Sequence, residues 1–430
     1  MIQEICESLD ATNIDKSPIK LQWKDAINLV HDAFLPKLQL GEDRPITCQD
    51  FARADNDKRL AILLKLCDFL ASINDLSMLI SDRTLMKAFL SPLLILCSEN
   101  LQASHWSNSQ HIECGYRIIG ILKTEVFKKN SIAELLLENP QFLGWCLRDQ
   151  LHCKLTKQDW KSYPGARTSF AWLLRQICEP HLSKYLSEFL PFTLTFLDDW
   201  EIKHKAFALH CLDHIVDNLS QTELLTSGYS EVIKSALFHA LNFRDTELVS
   251  IAYECCFKFT HKCEGPKTQF AKFDTWDDLA KKLLYSLETE TKIELKRIYA
   301  SLLSNLLTNI QEGAIRWMTS ILGVISTHLT ESSDHRLRRI ALQNLLLVLE
   351  LCEQRVKFHA EVIFEALVRL LYELRKVPEK SADDDELFQT AARALKLAAK
   401  IASEEFSLLF DGIELVAVDE SFDQVMRECR

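Results

Sequence analysis

Apolar residues recur at spacings of three and four along almost the whole chain, which is the repeat of one face of an α-helix and not the two-residue alternation of a strand. In NDKRLAILLKLCDFLASINDLSMLI, Leu60, Leu63, Leu64, Cys67, Leu70 and Ala71 make one stripe, and Asn56 or Asp57 stands where a helix start is capped. In RLRRIALQNLLLVLELCEQRV the stripe is Leu337, Ile340, Ala341, Leu345, Val348 and Leu349. In AEVIFEALVRLLYELRKVP it is Val362, Ile363, Ala366, Leu367, Leu370 and Leu374, ended by Pro378. The one strand-like patch is Ile413–Val418, and a single strand without partners is not a sheet.

Glycine usage supports the same reading. Ten glycines and ten prolines in 430 residues are well under the average of about 7% and about 5%, so tight hairpins and phosphate-cradling loops are scarce. Helices of about 15 to 20 residues with short breaks predict stacked antiparallel helix pairs. The fold class expected is all-α, an α-solenoid of HEAT or armadillo type. The clearest unit is FLPFTLTFLDDWEIKHKAFALHCLDHIV, Phe189–Val216, with a proline in the first helix, Asp198 and Asp199 in the turn, and Ile202, Lys203 and Ala206 opening the second helix. At ~40 to 47 residues per unit the chain would hold roughly ten helix pairs. Polar breaks carrying glycine or proline fall at 40–58, 263–276 and 375–387, none long enough for a disordered linker. The organisation expected is a divergent N-terminal helical region over 1–155, continuous with a HEAT-like repeat region over 156–430.

Charge and cysteine usage set the compartment and exclude some partners. With 50 basic and 61 acidic residues the net charge is −11, which disfavours attraction to a nucleic-acid backbone. The 14 cysteines are scattered and form no C-x-x-C pair. MIQEICESLD is acidic where a signal peptide is basic. The uncharged run Trp317–Thr330 is too short for the ~20 residues of a membrane span. A soluble, reduced, cytoplasmic protein is expected, with the nucleus as a second compartment, and no membrane, nucleic-acid or small-molecule partner.

Several clusters invite a chemical reading. In Leu197–Leu219, Ile202, Leu209, Leu212, Val216 and Leu219 gather on one side of a helix, and Lys203, His210, His214 and Asp217 on the other. His210 and His214 stand at i and i+4, the spacing at which two imidazoles share a metal ion, but Cys211 follows His210 where the zincin pattern needs glutamate. Asp198 and Glu201 read instead as a D-x-x-E capping pair. In CCFKFTHKC, Cys255–Cys263, the C-x5-H-x-C spacing fits no usual structural zinc pattern, and buried thiols explain it. His359–Glu361 lacks the P-C-x-x-C of zinc deaminases. Gly115 and Gly120 lie in a helical pattern and begin no nucleotide-binding motif. The acid run Asp383–Glu386 stands where a helix start attracts negative charge, and Arg336, Arg338 and Arg339 read as a solvated helix face.

WLLRQICEPHLSKYLSEFLPFTLTFLDDW, Trp172–Trp200, followed by CLDHIVDN, Cys211–Asn218, resembles the most characteristic block of the Tel-two-interacting protein two family. RIYASLLSNLL from Arg297, the pair Arg355 and Val356, and Ile363–Leu371 are similar to later parts of it, so the resemblance runs over roughly half the chain, Gly165–Glu373. It implies an all-helical, non-catalytic co-chaperone subunit of the triple-T complex. The partners implied are Tel-two-interacting protein one and Tel-two, and through them the ninety-kilodalton heat-shock chaperone and the phosphatidylinositol-3-kinase-related kinases of TOR signalling and the DNA damage response. It also implies that His214, shared in CL-x-HIV, belongs to a packing or contact pattern; His210 has no such match.

The expected function is therefore a scaffold without cofactor, metal or catalytic residues, docking through Trp200, Lys203, His210, His214 and Asp217, an aromatic anchor beside polar groups. The alternatives are a transport or trafficking adaptor on the same kind of solenoid, or a metal-dependent helical enzyme using His210 and His214.

Overall fold

The computed structural model describes residues 18–39, 44–73, 75–267, 272–330, 334–376, 381–411 and 420–429, with side chains from residue 23. Apart from an isolated bridge between Ser104 and Ser107, the regular structure of the described residues is helical, as the periodicity predicts. The strand-like patch Ile413–Val418 and the helix stop at Pro378 lie outside them. The chain forms two compact units, residues 1–220 and 221–430.

In the first unit the principal helices are α1 (Pro18–Ala33), α2 (Arg53–Ser72), α3 (Ser91–Glu99), α4 (Ser109–Ile121), α5 (Ile132–Glu138), α6 (Pro164–Gln176), α7 (Leu186–Leu197) and α8 (Ile202–Asp217). α2 packs on α1 and α4, α3 on α4 and α6, and α7 on α8. The α2 stripe differs from the expected one: it starts at Arg53 after Ala52, without a side-chain cap, and buries Arg59, Ile62, Leu63, Leu66, Cys67 and Leu70, leaving Leu64 exposed. The cause is Arg59. Its guanidinium lies 2.7 Å from Glu99 and donates to the carbonyls of Ala33 at 2.8 Å and Trp106 at 3.3 Å, so a charge occupies a core position because its partners are buried with it. Glu99 also accepts from the Leu35 N–H at 3.0 Å. One ion pair thereby joins α2 and α3 to the chain leaving α1.

The second unit contains α9 (Tyr229–Ala240), α10 (Thr246–Glu264), α11 (Thr275–Thr289), α12 (Ile293–Ile310), α13 (Met318–Thr330), α14 (His335–Leu351), α15 (Ala360–Lys376), α16 (Ala382–Ile401), α17 (Ser403–Asp411) and α18 (Glu420–Cys429). Its order is that of stacked hairpins. α10, α12, α14 and α16 pack in succession in one layer, and α11, α13 and α15 in the other. Polar ties recur between successive helices: Asn344 of α14 donates to the Ala300 carbonyl of α12 at 2.8 Å and receives the Ser304 hydroxyl at 2.6 Å. Among the described residues no helix is long and apolar enough to cross a membrane, and every described cysteine is free.

Candidate functional site

The predicted unit at 189–216 is present: Pro191 lies inside α7, Asp198 and Asp199 are in the turn, and α8 opens at Ile202. Its apolar stripe, however, runs through Ala208, Leu209, Cys211, Leu212, Ile215 and Val216 and reaches back to His204, whereas Ile202 is 46% exposed. The expected capping pair is also absent. Glu201 is the residue before the helix and makes no side-chain cap, because Asp199 is drawn inward instead.

Asp199 organises a buried ionic cluster. Its Oδ1 accepts from the Trp200 N–H at 2.8 Å and lies 2.7 Å from the Lys161 ammonium, and its Oδ2 accepts from His204 Nδ1. Glu201 stands 3.5 Å from His204 Nδ1. Trp160 packs edge-on to His204 at 4.8 Å and against Phe196 at 4.9 Å, and Arg167 lies over the Trp160 and Phe207 rings at 5.8 and 5.5 Å. Burial alone would raise the Asp199 carboxyl, but hydrogen bonds from Lys161 and His204 outweigh it and hold it below its ordinary range. Burial, then the Arg167 guanidinium, push the His204 imidazole below its usual value against the upward pull of Asp199. At neutral pH His204 is therefore neutral and donates from Nδ1.

Asp199, Glu201 and His204 bring three ligand-type atoms within 4.8 Å of one another, so a metal site has to be weighed. The charges argue against it. Two carboxylates face Lys161 and Arg167, which already neutralise them, and a divalent cation would leave an uncompensated positive charge against the indole of Trp160. The cluster fits a structural tie between the 160–167 segment and the α7–α8 turn.

The residues expected to dock a partner are distributed as follows. Lys203, His210 and Asp217 are exposed along α8, and Trp200 is 52% exposed at its start, with Lys161 5.7 Å from its ring. His214 is half-buried. Its Nε2 donates to the Ile177 carbonyl at 3.1 Å and its Nδ1 accepts from Asn218 at 3.3 Å, so no lone pair remains for a metal shared with His210. The pair that suggested a metal enzyme is thus one exposed imidazole and one that ties α8 to the end of α6.

The other clusters resolve into packing. Cys255 and Cys256 are buried in α10, with burial pushing the Cys256 thiol up, and His261 points elsewhere, to Asn309 at 3.2 Å. The acid run and the arginine cluster pair with each other: Arg339 meets Asp383 at 3.2 Å and Glu386 at 3.0 Å, while Asp384 forms a capping box with Ser381 at the start of α16. Arg338 meets Glu373 at 2.7 Å. Sequence reasoning missed Trp160, Lys161, Arg167 and His204. One signal was available: the spacing 204, 208, 211, 215 continues the α8 stripe.

The α6–α8 block that builds this cluster, and the helices after it, decide the resemblance. Residues 149–334 match the Tti2 family. Among curated relatives, TELO2-interacting protein 2 of Rattus norvegicus is 24% identical over 359 residues, 80% of this chain and 70% of the rat protein. The Homo sapiens protein of that name is 27% identical over 251 residues, 56% of this chain and 49% of its own length. The matched part of this chain spans about half the length of that human relative. The Tti2 resemblance read from Trp172–Asn218 is therefore borne out. In fold the chain is similar to Kap121p in a crystal structure of Kap121p bound to RanGTP, with a TM-score of 0.51 at 11% identity, covering 96% of this chain and 40% of that one. At that identity the likeness is of fold alone, and it sets this all-α chain beside importin-type HEAT-repeat proteins.

Proposed function

We propose that this chain is a non-catalytic subunit of a triple-T co-chaperone complex, binding Tel-two-interacting protein one and, through it, Tel-two. In that role it supports the maturation and stability of phosphatidylinositol-3-kinase-related kinases with the ninety-kilodalton heat-shock chaperone, in the cytoplasm and nucleus. The carrying observation is the match of residues 149–334 to the Tti2 family, whose named relatives are TELO2-interacting proteins. The physical reading agrees: apart from the exposed His210, the histidine, cysteine and charge clusters are committed to ion pairs, caps and packing, and stacked helix pairs leave an extended face free for a large interface. The contact face proposed is the outer side of α8, with Trp200 as anchor, Lys203, His210 and Asp217 beside it, and His214 holding the helix in place.

The test is copurification of the tagged chain from cells of its own organism. Recovery of both sister subunits in stoichiometric amounts is expected. Their absence under conditions that preserve other large assemblies would remove the proposal.

A further inference from the structure

In the second unit the helices α11, α13 and α15 of one layer pack in succession, but between α9 and α11 a groove of ≈ 610 Å³ opens. Its size is within the ~300–1,000 Å³ range of ligand pockets. Phe238, Tyr285 and Trp317 supply aromatic surface, and Lys234, Lys281 and Lys282 surround it. Tyr285 is 61% exposed, although an aromatic side chain of that size gains by being covered.

Some cations of this unit are matched to carboxylates, Lys267 and Arg316 to Asp277 at 2.5 and 2.8 Å and Arg338 to Glu373 at 2.7 Å. Around the groove Lys234 donates to the Thr275 hydroxyl at 2.8 Å and Lys282 to the Asn242 side-chain oxygen at 2.5 Å, both neutral acceptors. Lys281 is exposed and has no hydrogen-bond or ion-pair partner among the described residues. Asp278 and Glu288 also line the groove, yet neither forms an ion pair with any of the three. In a chain of net charge −11, the lining carries three lysines against two carboxylates, and no ion pair joins them beside the exposed Tyr285 and the half-buried Phe238 and Trp317.

We propose that this groove binds an extended acidic peptide segment carrying aromatic or aliphatic side chains, contributed by a protein partner. Carboxylates of the segment meet the three ammonium groups, and its apolar side chains cover Phe238, Tyr285 and Trp317. Asp278 and Glu288 share the lining and repel a backbone charged at every residue more than a peptide whose acids alternate with apolar residues, so a peptide fits better than a nucleic acid. The inference rests on the reading of the chain as a protein-binding subunit and adds a second, separate contact to it.

The experiment uses the full chain and a fluorescein-labelled ten-residue peptide in which Asp and Glu alternate with Phe and Leu, read by anisotropy. Controls are the same peptide with Lys for the acids, an all-Asp peptide and a single-stranded RNA of equal length. The acidic aromatic peptide is expected to bind, and the Lys version not to. Lys281→Glu with Lys282→Glu should weaken binding tenfold or more, and Tyr285→Ala several-fold, with melting temperatures unchanged. Lys281→Glu alone, at a side chain without a partner, should give a smaller loss and guards against misfolding of the pair. No binding by the unaltered chain, binding indifferent to these changes, or equal binding of the all-Asp peptide or the RNA would overturn the proposal. Capture of the sister subunits is measured on the same samples. A silent groove with capture intact removes this inference alone, and a peptide-binding groove with capture absent removes the proposed function alone.

Discussion

Arg59 and Glu99 are 4% and 3% exposed, and each has the other as its only charged ion-pair partner within 4 Å among the described residues, so their contribution depends on which is changed. Glu99→Ala leaves a buried guanidinium unpaired and should cost about 3–5 kcal/mol of folding stability, whereas replacing both by apolar residues of similar volume should cost far less. Urea unfolding of the two single variants and the double variant checks this, and a double variant as unstable as the singles would contradict it. His328 gives a pH signature. Burial, with a smaller contribution from Lys296, lowers its imidazole to about 4 from 6.5. Between those values the unfolded chain binds a proton that the native one does not, so stability falls as pH drops from 6.5 towards 4 and is restored as pH rises. That shift corresponds to about 3 kcal/mol in full. His328→Gln should flatten the melting temperature over that window, while acid loss below it persists through Asp199 and Asp334, whose carboxyls are held below their ordinary range. An unchanged slope in the variant would show that other groups carry it.

At the scale of the element, two glycines that look alike in the sequence have opposite expected effects. Gly165, beside Pro164 at the start of α6, lies against Glu99, so an added methyl group would come within 2.5 Å of a side chain that Arg59 and the Leu35 N–H hold fixed. Gly165→Ala should lower stability by about 1–3 kcal/mol. Gly323, in the middle of α13, has open space there, and Gly323→Ala should raise stability by about 0.5–1 kcal/mol. Calorimetric melts of the two variants should move in opposite directions. The same contrast explains what could be read from the sequence. The turn at 198–201 and the helices around it were legible because Pro191, the aspartates and the three-and-four spacing are local signals. The register of α2 and the inward turn of Asp199 were not, since each is fixed by a partner 38 to 40 residues away, Glu99 for Arg59 and Lys161 for Asp199. Of the docking candidates, the stripe Lys203, His210 and Asp217 followed from helical spacing, while the fate of His214 depended on the Ile177 carbonyl at the end of α6.

For the whole molecule, the proposed role requires binding and stability to be separable. A large interface built on stacked helix pairs draws its affinity from a few anchors, with the surrounding contacts contributing complementarity. Trp200 is the strongest candidate for such an anchor, because half of its surface is uncovered and Lys161 stands over its ring, held in turn by Asp199. The combined variant Trp200→Ala, Lys203→Glu and His210→Ala removes an aromatic, reverses one charge and deletes an exposed imidazole without touching the Asp199–His204 pair. It should reduce capture of the sister subunits at least about tenfold, the equivalent of 1.4 kcal/mol or more, with a melting temperature close to that of the unaltered chain. Gly165→Ala behaves differently: it should lower the melting temperature and leave capture intact at temperatures where the variant remains folded. The comparison is made by parallel pull-downs and thermal melts of both variants. Full capture by the triple variant would move the interface away from α8, and a collapse of its melting temperature would mean that these side chains belong to the fold.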